Sequence, residues 1–115
     1  MSIGSRENVL RAAISVSAAG DNTIVTAAAG KLITVVGLVL VNGVATAQSV
    51  IVKDGTGGTA LTGAMPLNTA GFPFILPDNG SGGFDWFATS NVANNLVLNL
   101  SAATLVAGVV YYVQE

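Results

Sequence analysis

The chain of 115 residues contains no cysteine and no histidine. Without cysteine there are no disulfide staples, no thiol nucleophile and no thiolate metal ligand. Without histidine the commonest general base near neutral pH is missing, and so is the commonest transition-metal ligand. Charge is equally scarce, at 9% of residues against about 25% in ordinary soluble domains. The four basic residues, Arg6, Arg11, Lys31 and Lys53, form no run, so the concentrated positive footprint that a polyanion needs is absent. Residues 32–41 and 102–113 are strongly apolar, but both runs fall short of the roughly 20 residues of a membrane-spanning helix. The start, with Arg6, Glu7 and Arg11, never develops the unbroken apolar stretch of a secretory signal. These absences predict no nucleic-acid partner, no membrane partner, no cofactor, no metal and no enzymatic activity.

What is present is apolar surface. Hydrophobic residues make up 51% of the chain, and so few charges leave a free monomer short of solubilising exterior, which predicts that part of it is covered by another protein. The apolar runs are dense in Val, Ile and Thr, whose branching at Cβ suits a pleated strand better than a helix. Turn residues recur every 8 to 12 positions or so, the rhythm of many short strands. The expectation is an all-β fold, an antiparallel β-sandwich of eight or so strands. A jelly roll fits that count, a Greek-key sandwich or small barrel nearly as well, and strand order stays open. Residues 1–8 read as an N-terminal arm and residues 9–115 as a single β-sandwich domain.

The strands differ in how cleanly they alternate. Leu96, Leu98 and Leu100 alternate with Asn95, Asn99 and Ser101, with Val97 breaking the polar row. In residues 31–41 the alternation is lost: Ile33, Val35, Val39 and Val41 share one face, and Leu32, Val36, Leu38 and Leu40 the other. The final strand, 104–113, is also apolar on both faces apart from Tyr111 and Tyr112. Both strands therefore need cover on two sides, one from the core and one from a loop, a terminus or a second subunit. Asn42-Gly43 predicts a tight type I′ hairpin into the next strand. Pro66, Pro73 and Pro77 predict a long structured connection between residues 63 and 83, carrying one short strand near 72–76.

Candidate contact residues follow from the doubly apolar strands and the aromatics: Leu32, Val36, Leu38, Leu40, Phe84, Trp86, Phe87, Val110 and Tyr112. Phe84, Trp86 and Phe87 can serve the core, a protein contact or a ligand, since large rigid rings contribute in each place. A glycan-binding module that stacks sugars on Trp86, Phe84 or Tyr112 is the alternative function. Asp78 and Asp85 flank the glycine loop at 80–83 and are the one pair of carboxylates placed to converge as in a glycosidase. Asp54-Gly55-Thr56-Gly57-Gly58 offers oxygen atoms but a single carboxylate, too few for an efficient calcium loop.

Two segments carry a resemblance. Thr59-Ala60-Leu61-Thr62-Gly63-Ala64-Met65-Pro66-Leu67 and Asn95-Leu96-Val97-Leu98-Asn99-Leu100-Ser101-Ala102-Ala103 resemble stretches in a group of small phage-encoded virion proteins. The aromatic strand Phe84-Asp85-Trp86-Phe87-Ala88-Thr89 and the closing Tyr112-Val113 are similar to that group as well. The resemblance implies a jelly-roll sandwich that decorates or cements a tailed-bacteriophage capsid, assembled in the host cytoplasm and located on the capsid surface. It implies attachment to the major capsid protein or another virion protein, self-association as a dimer or trimer, and no catalytic residues.

Overall fold

The β-branched runs form strands in a computed structural model that describes residues 9–77 and 86–115. Among the described residues these are β1 (Leu10–Val16), β2 (Gly20–Val25), β3 (Ile33–Asn42), β4 (Gln48–Asp54), β5 (Thr59–Ala60), β6 (Met65–Leu67), β7 (Phe74–Leu76), β8 (Phe87–Ala88), β9 (Leu96–Leu100) and β10 (Val106–Gln114). None of the described residues is helical, and no helix is long and apolar enough to cross a membrane. Two antiparallel sheets pack as a sandwich. Sheet A runs β1-β10-β3-β7, with β8 also paired to β3, and sheet B runs β2-β9-β4-β5, with β6 also paired to β4. The expectation of an antiparallel sandwich is met.

Each sheet has one broken edge. Along β3, β7 pairs with residues 38–40 and β8 with Thr34 and Val35, so the two lie end to end. Along β4, β5 pairs with Lys53 and Asp54 and β6 with residues 48–50. Between β5 and β6 the chain bulges, yet the backbone of β4 stays satisfied. Leu61 N–H donates to the Val52 carbonyl (2.7 Å), and Thr62 Oγ1 accepts the Val52 N–H (3.1 Å). The described part of the proline-rich segment therefore carries two short strands, β6 and β7, where the sequence predicts one.

The core lies between the sheets. Ile14, Ile33, Val35, Leu38, Leu40, Val106 and Val110 enter it from sheet A, and Ile24, Val25, Val50, Val52, Leu96, Leu98 and Leu100 from sheet B. Strand β3 explains its own lost alternation. Opposite it on β10, Tyr112 pairs with Val35 and Tyr111 with Gly37, leaving Val36 without a partner. This β-bulge adds one residue and flips the side-chain parity. Ile33 and Val35 face the core before it, Leu38 and Leu40 after it. A similar shift in β2 leaves Ile24 unpaired, so both Ile24 and Val25 are buried.

The Asn42-Gly43 hairpin does not form. β3 and β4 belong to different sheets, and Gly43 N–H donates to the Leu105 carbonyl (2.8 Å), prolonging the β3–β10 ladder instead. Asn42 is buried and organises the crossing: its side-chain amide donates to the Thr46 carbonyl (2.8 Å). Gln48 does the same for the β9–β10 connection. Its amide donates to the Ala102 carbonyl (2.8 Å), and its Oε1 accepts from Ser101 Oγ and Ala102 N (both 2.9 Å). No buried side-chain polar atom among the described residues lacks a partner, as a dry core requires.

Candidate functional site

Residues directly opposite each other in a sheet point to the same face, so the ladders map each outer surface row by row. On sheet A, Ala13 lies opposite Val109, Val109 opposite Val39, and Val39 opposite Ile75. That row is apolar from one edge of the sheet to the other. Ser15, Ala107 and Val41 form the next row, and Arg11, Tyr111 and Gly37 the row on its other side. Arg11 is the only charged residue in these rows, and it sits on the edge strand. Ile75 is 53% exposed, and Phe72 and Trp86 are also exposed beyond the same edge.

The outer face of sheet B is built differently. Its rows read Asp21, Asn99, Ile51 and Thr23, Val97, Lys53, Ala60. Lys53 on β4 and Asp21 on β2 are separated by β9, about 10 Å across two strand spacings, and their side chains bridge it at 3.1 Å. Asn99 Nδ2 and Gly57 N–H also donate to the Asp21 carboxylate, both at 2.7 Å. These bonds from Asn99 and Gly57 hold the Asp21 carboxyl below its ordinary value, against some desolvation, with Lys53 adding to the effect. The bridge and the 55–58 loop close over β9, and Val97, the valine that breaks its polar row, is fully buried. Sheet B covers its outward valine from within the chain. Sheet A leaves Val39, Val41 and Val109 half-buried and Ile75 open.

The candidate contact residues scatter over these surfaces. Leu38, Leu40 and Val110 are interior, at 1%, 0% and 0% exposure, because the bulge at Val36 turns the leucines toward the opposite sheet. They have no surface to offer a partner. Phe87 and Tyr112 are partly buried and pack on the core. Val36 is buried at the bulge, and Leu32 is half-buried with its backbone bonded both ways to Glu115 (3.2 and 3.1 Å). Trp86 is exposed, with its indole N–H donating to the Pro77 carbonyl (2.9 Å). Phe84, Asp78 and Asp85 lie outside the described residues. The apolar row itself, Ala13, Val109, Val39 and Ile75, is absent from the sequence-based set. Its signal is the odd-numbered face of 33–41, which the bulge divides between core and surface.

A second feature is polar. At one end of sheet B a concavity of about 380 Å³ is lined by Asp54, Gly55, Thr56, Ser90, Asn94 and Asn95, among others. Asp54 is buried there and fully engaged. One carboxylate oxygen accepts from Ser90 N–H (3.0 Å) and Ser90 Oγ (2.5 Å), the other from Asn94 Nδ2 (2.9 Å). Burial pushes its pKa up, and the bonds from Ser90 and Asn94 outweigh it, for a net lowering. Asp54 thus pins the 90–94 connection to β4, as Gln48 pins the connection at the other end.

Asp21 and Asp54 set an acid limit. Both bind a proton less readily folded than unfolded, so their stabilisation is present above the ordinary aspartate value of 3.8 and is lost as pH falls through the lowered folded values. The urea midpoint should be flat from about pH 7 to 5 and drop below about pH 4. In the double variant Asp21→Asn/Asp54→Asn most of that drop should vanish; an undiminished drop would assign the acid sensitivity elsewhere. The chain matches no protein-family model, no curated protein and no solved structure.

Proposed function

We propose that this chain is a structural virion protein that decorates or cements a bacteriophage capsid, and that the outer face of sheet A is its contact surface. The observation that carries the contact is the edge-to-edge apolar row Ala13, Val109, Val39 and Ile75, set against a sheet B that covers its own outward valine. Covering the row and Val41 contributes on the order of 3–5 kcal/mol before ordering costs, because the valines are already half-buried. The phage assignment draws on the resemblance of residues 59–67 and 95–103 to small virion proteins.

Strand order supports the jelly-roll form of this reading. With β5 and β6 taken as one interrupted edge strand, and β7 and β8 as another, the described residues make eight strand positions. Sheet A then runs 1-8-3-6 and sheet B 2-7-4-5. Two interlocked Greek keys produce that order, and eight strands in two sheets is the jelly-roll count. The crossing of the chain between sheets after Asn42 belongs to the same pattern.

The test is co-sedimentation of the purified chain with shells of the major capsid protein encoded in the same genome. Wild type should bind, and Val39→Lys should weaken binding at least tenfold while leaving the urea midpoint nearly unchanged, since the new ammonium reaches water when the face is free. Binding unaffected by Val39→Lys would remove this face from the contact. A wild-type chain that stays monomeric and ignores the shells would overturn the virion reading. Glycan-array binding abolished by Trp86→Ala would replace it with a sugar-stacking module.

A further inference from the structure

The two sides of the sandwich treat their sheet edges differently. On the β5–β8 side, the edge strands are two or three residues long, and Pro66, Pro73 and Pro77 interrupt or flank them. Short, proline-broken edges resist pairing with another chain. On the other side of sheet A, β1 is seven residues long, contains no proline, and pairs with β10 without a bulge from Leu10 to Val16. Among the described residues β10 is the only strand paired to it.

The ladder reveals which backbone groups β1 leaves open. Gly43 N–H bonds the Leu105 carbonyl, so residues 43 and 105 form a hydrogen-bonded pair. Antiparallel ladders alternate such pairs with non-bonded ones. Along β10, Ala107 and Val109 therefore turn their backbone groups toward β3, while Val106, Gly108 and Val110 turn theirs toward β1. Their partners Val16, Ile14 and Ala12 face inward to β10. Arg11, Ala13 and Ser15 are left with N–H and C=O directed at the open edge.

We propose that this edge pairs with β1 of a second copy of the chain, antiparallel, about a two-fold axis at Ala13. Three evenly spaced open residues have one symmetric register with full overlap. Ala13 faces Ala13 of the second copy, and Arg11 faces Ser15 in both directions, each pair exchanging two backbone hydrogen bonds. The register keeps like charges apart, since neither Arg11 meets its counterpart. It sets Leu10, 44% exposed on the inner face at the edge, opposite Val16. It also joins the apolar rows of the two outer faces into one strip eight strands wide. The inference takes from the proposed function only that the chain works in contact with other subunits.

The test is sedimentation velocity of the full chain across a concentration series, with no shells present. Wild type should run as a dimer. Ala13→Pro removes an outward N–H without touching the β10 ladder and should raise the dimer dissociation constant at least tenfold. Ser15→Arg, which places a second cation opposite Arg11, should raise it severalfold, and Ser15→Glu should lower it. The two Ser15 substitutions sit on an exposed residue and report register without relying on proline. A monomeric wild type, or a dimer indifferent to all three substitutions, would overturn edge pairing. Shell binding by such a monomer would leave the virion reading standing, so the two failures are distinguishable.

Discussion

Gly108→Ala should cost about 3 kcal/mol or more, a large share of the roughly 5–15 kcal/mol that holds a domain of this kind together. Gly108 lies in the middle of β10, where a Cβ atom would stand 1.8 Å from the Val39 carbonyl oxygen and 2.8 Å from its carbon. Those are backbone atoms of β3. No rotamer change relieves the overlap, so β3 and β10 must separate, and with them the two central strands of sheet A. Urea denaturation should show a large fall in midpoint or a chain that no longer folds. Gly63→Ala is the control: nothing lies within 4 Å of its added carbon, and the change should stay within about 0.5 kcal/mol. Equal stability of the two variants would mean that the strands are not as closely apposed as described.

Leu40→Ala should cost about 2–5 kcal/mol, the range for removing a fully buried leucine and leaving a partly relaxed cavity. Leu40 is wholly buried and sits in the inner row Ile14, Gly108, Leu40, Phe74. The vacancy at Gly108 lies beside it, which invites the idea that shrinking Leu40 would make room for a methyl group at 108. The contacts argue otherwise, because the three atoms nearest the added carbon are all backbone: the carbonyl oxygen and carbon of Val39 and the Cα of Leu40 (3.1 Å). Shrinking the Leu40 side chain should therefore not rescue Gly108→Ala, and the double variant should be less stable than Gly108→Ala alone. A double variant as stable as Gly108→Ala alone would show that the side chain of Leu40, and not the strand backbone, sets the limit.

Much of sheet B is legible in the sequence, because β9 alternates and its three leucines all enter the core. Sheet A is less so, and the cause is local. One unpaired residue, Val36, reverses which residues of β3 face inward, and no composition rule marks it. Leu38 and Leu40 consequently belong to the core, while Val39 and Val41 reach the surface. The Asn42-Gly43 signal fails for a different reason. A tight hairpin needs the following strand in the same sheet, and here the ladder to β10 has already claimed the Gly43 N–H. Turn-forming propensity at Asp54 is real, yet its larger role comes from Ser90 and Asn94, distant in sequence and brought beside it by the packing of β4 against β9. Contact surfaces are harder still: an apolar row assembled from β1, β10, β3 and β7 has no contiguous sequence to read.

The placement of β9 and β10 also governs the order in which this chain can acquire its structure during synthesis. β10 lies between β1 and β3, and β9 between β2 and β4. Until those strands emerge from the ribosome, neither β1 and β3 nor β2 and β4 have the neighbour that joins them into a sheet. β3 and β4 can meanwhile pair on their other side with β7, β8, β5 and β6, but the edges kept for β9 and β10 stay unshielded until the end, and closing them joins strands far apart in sequence, which makes folding slow relative to the chain's size.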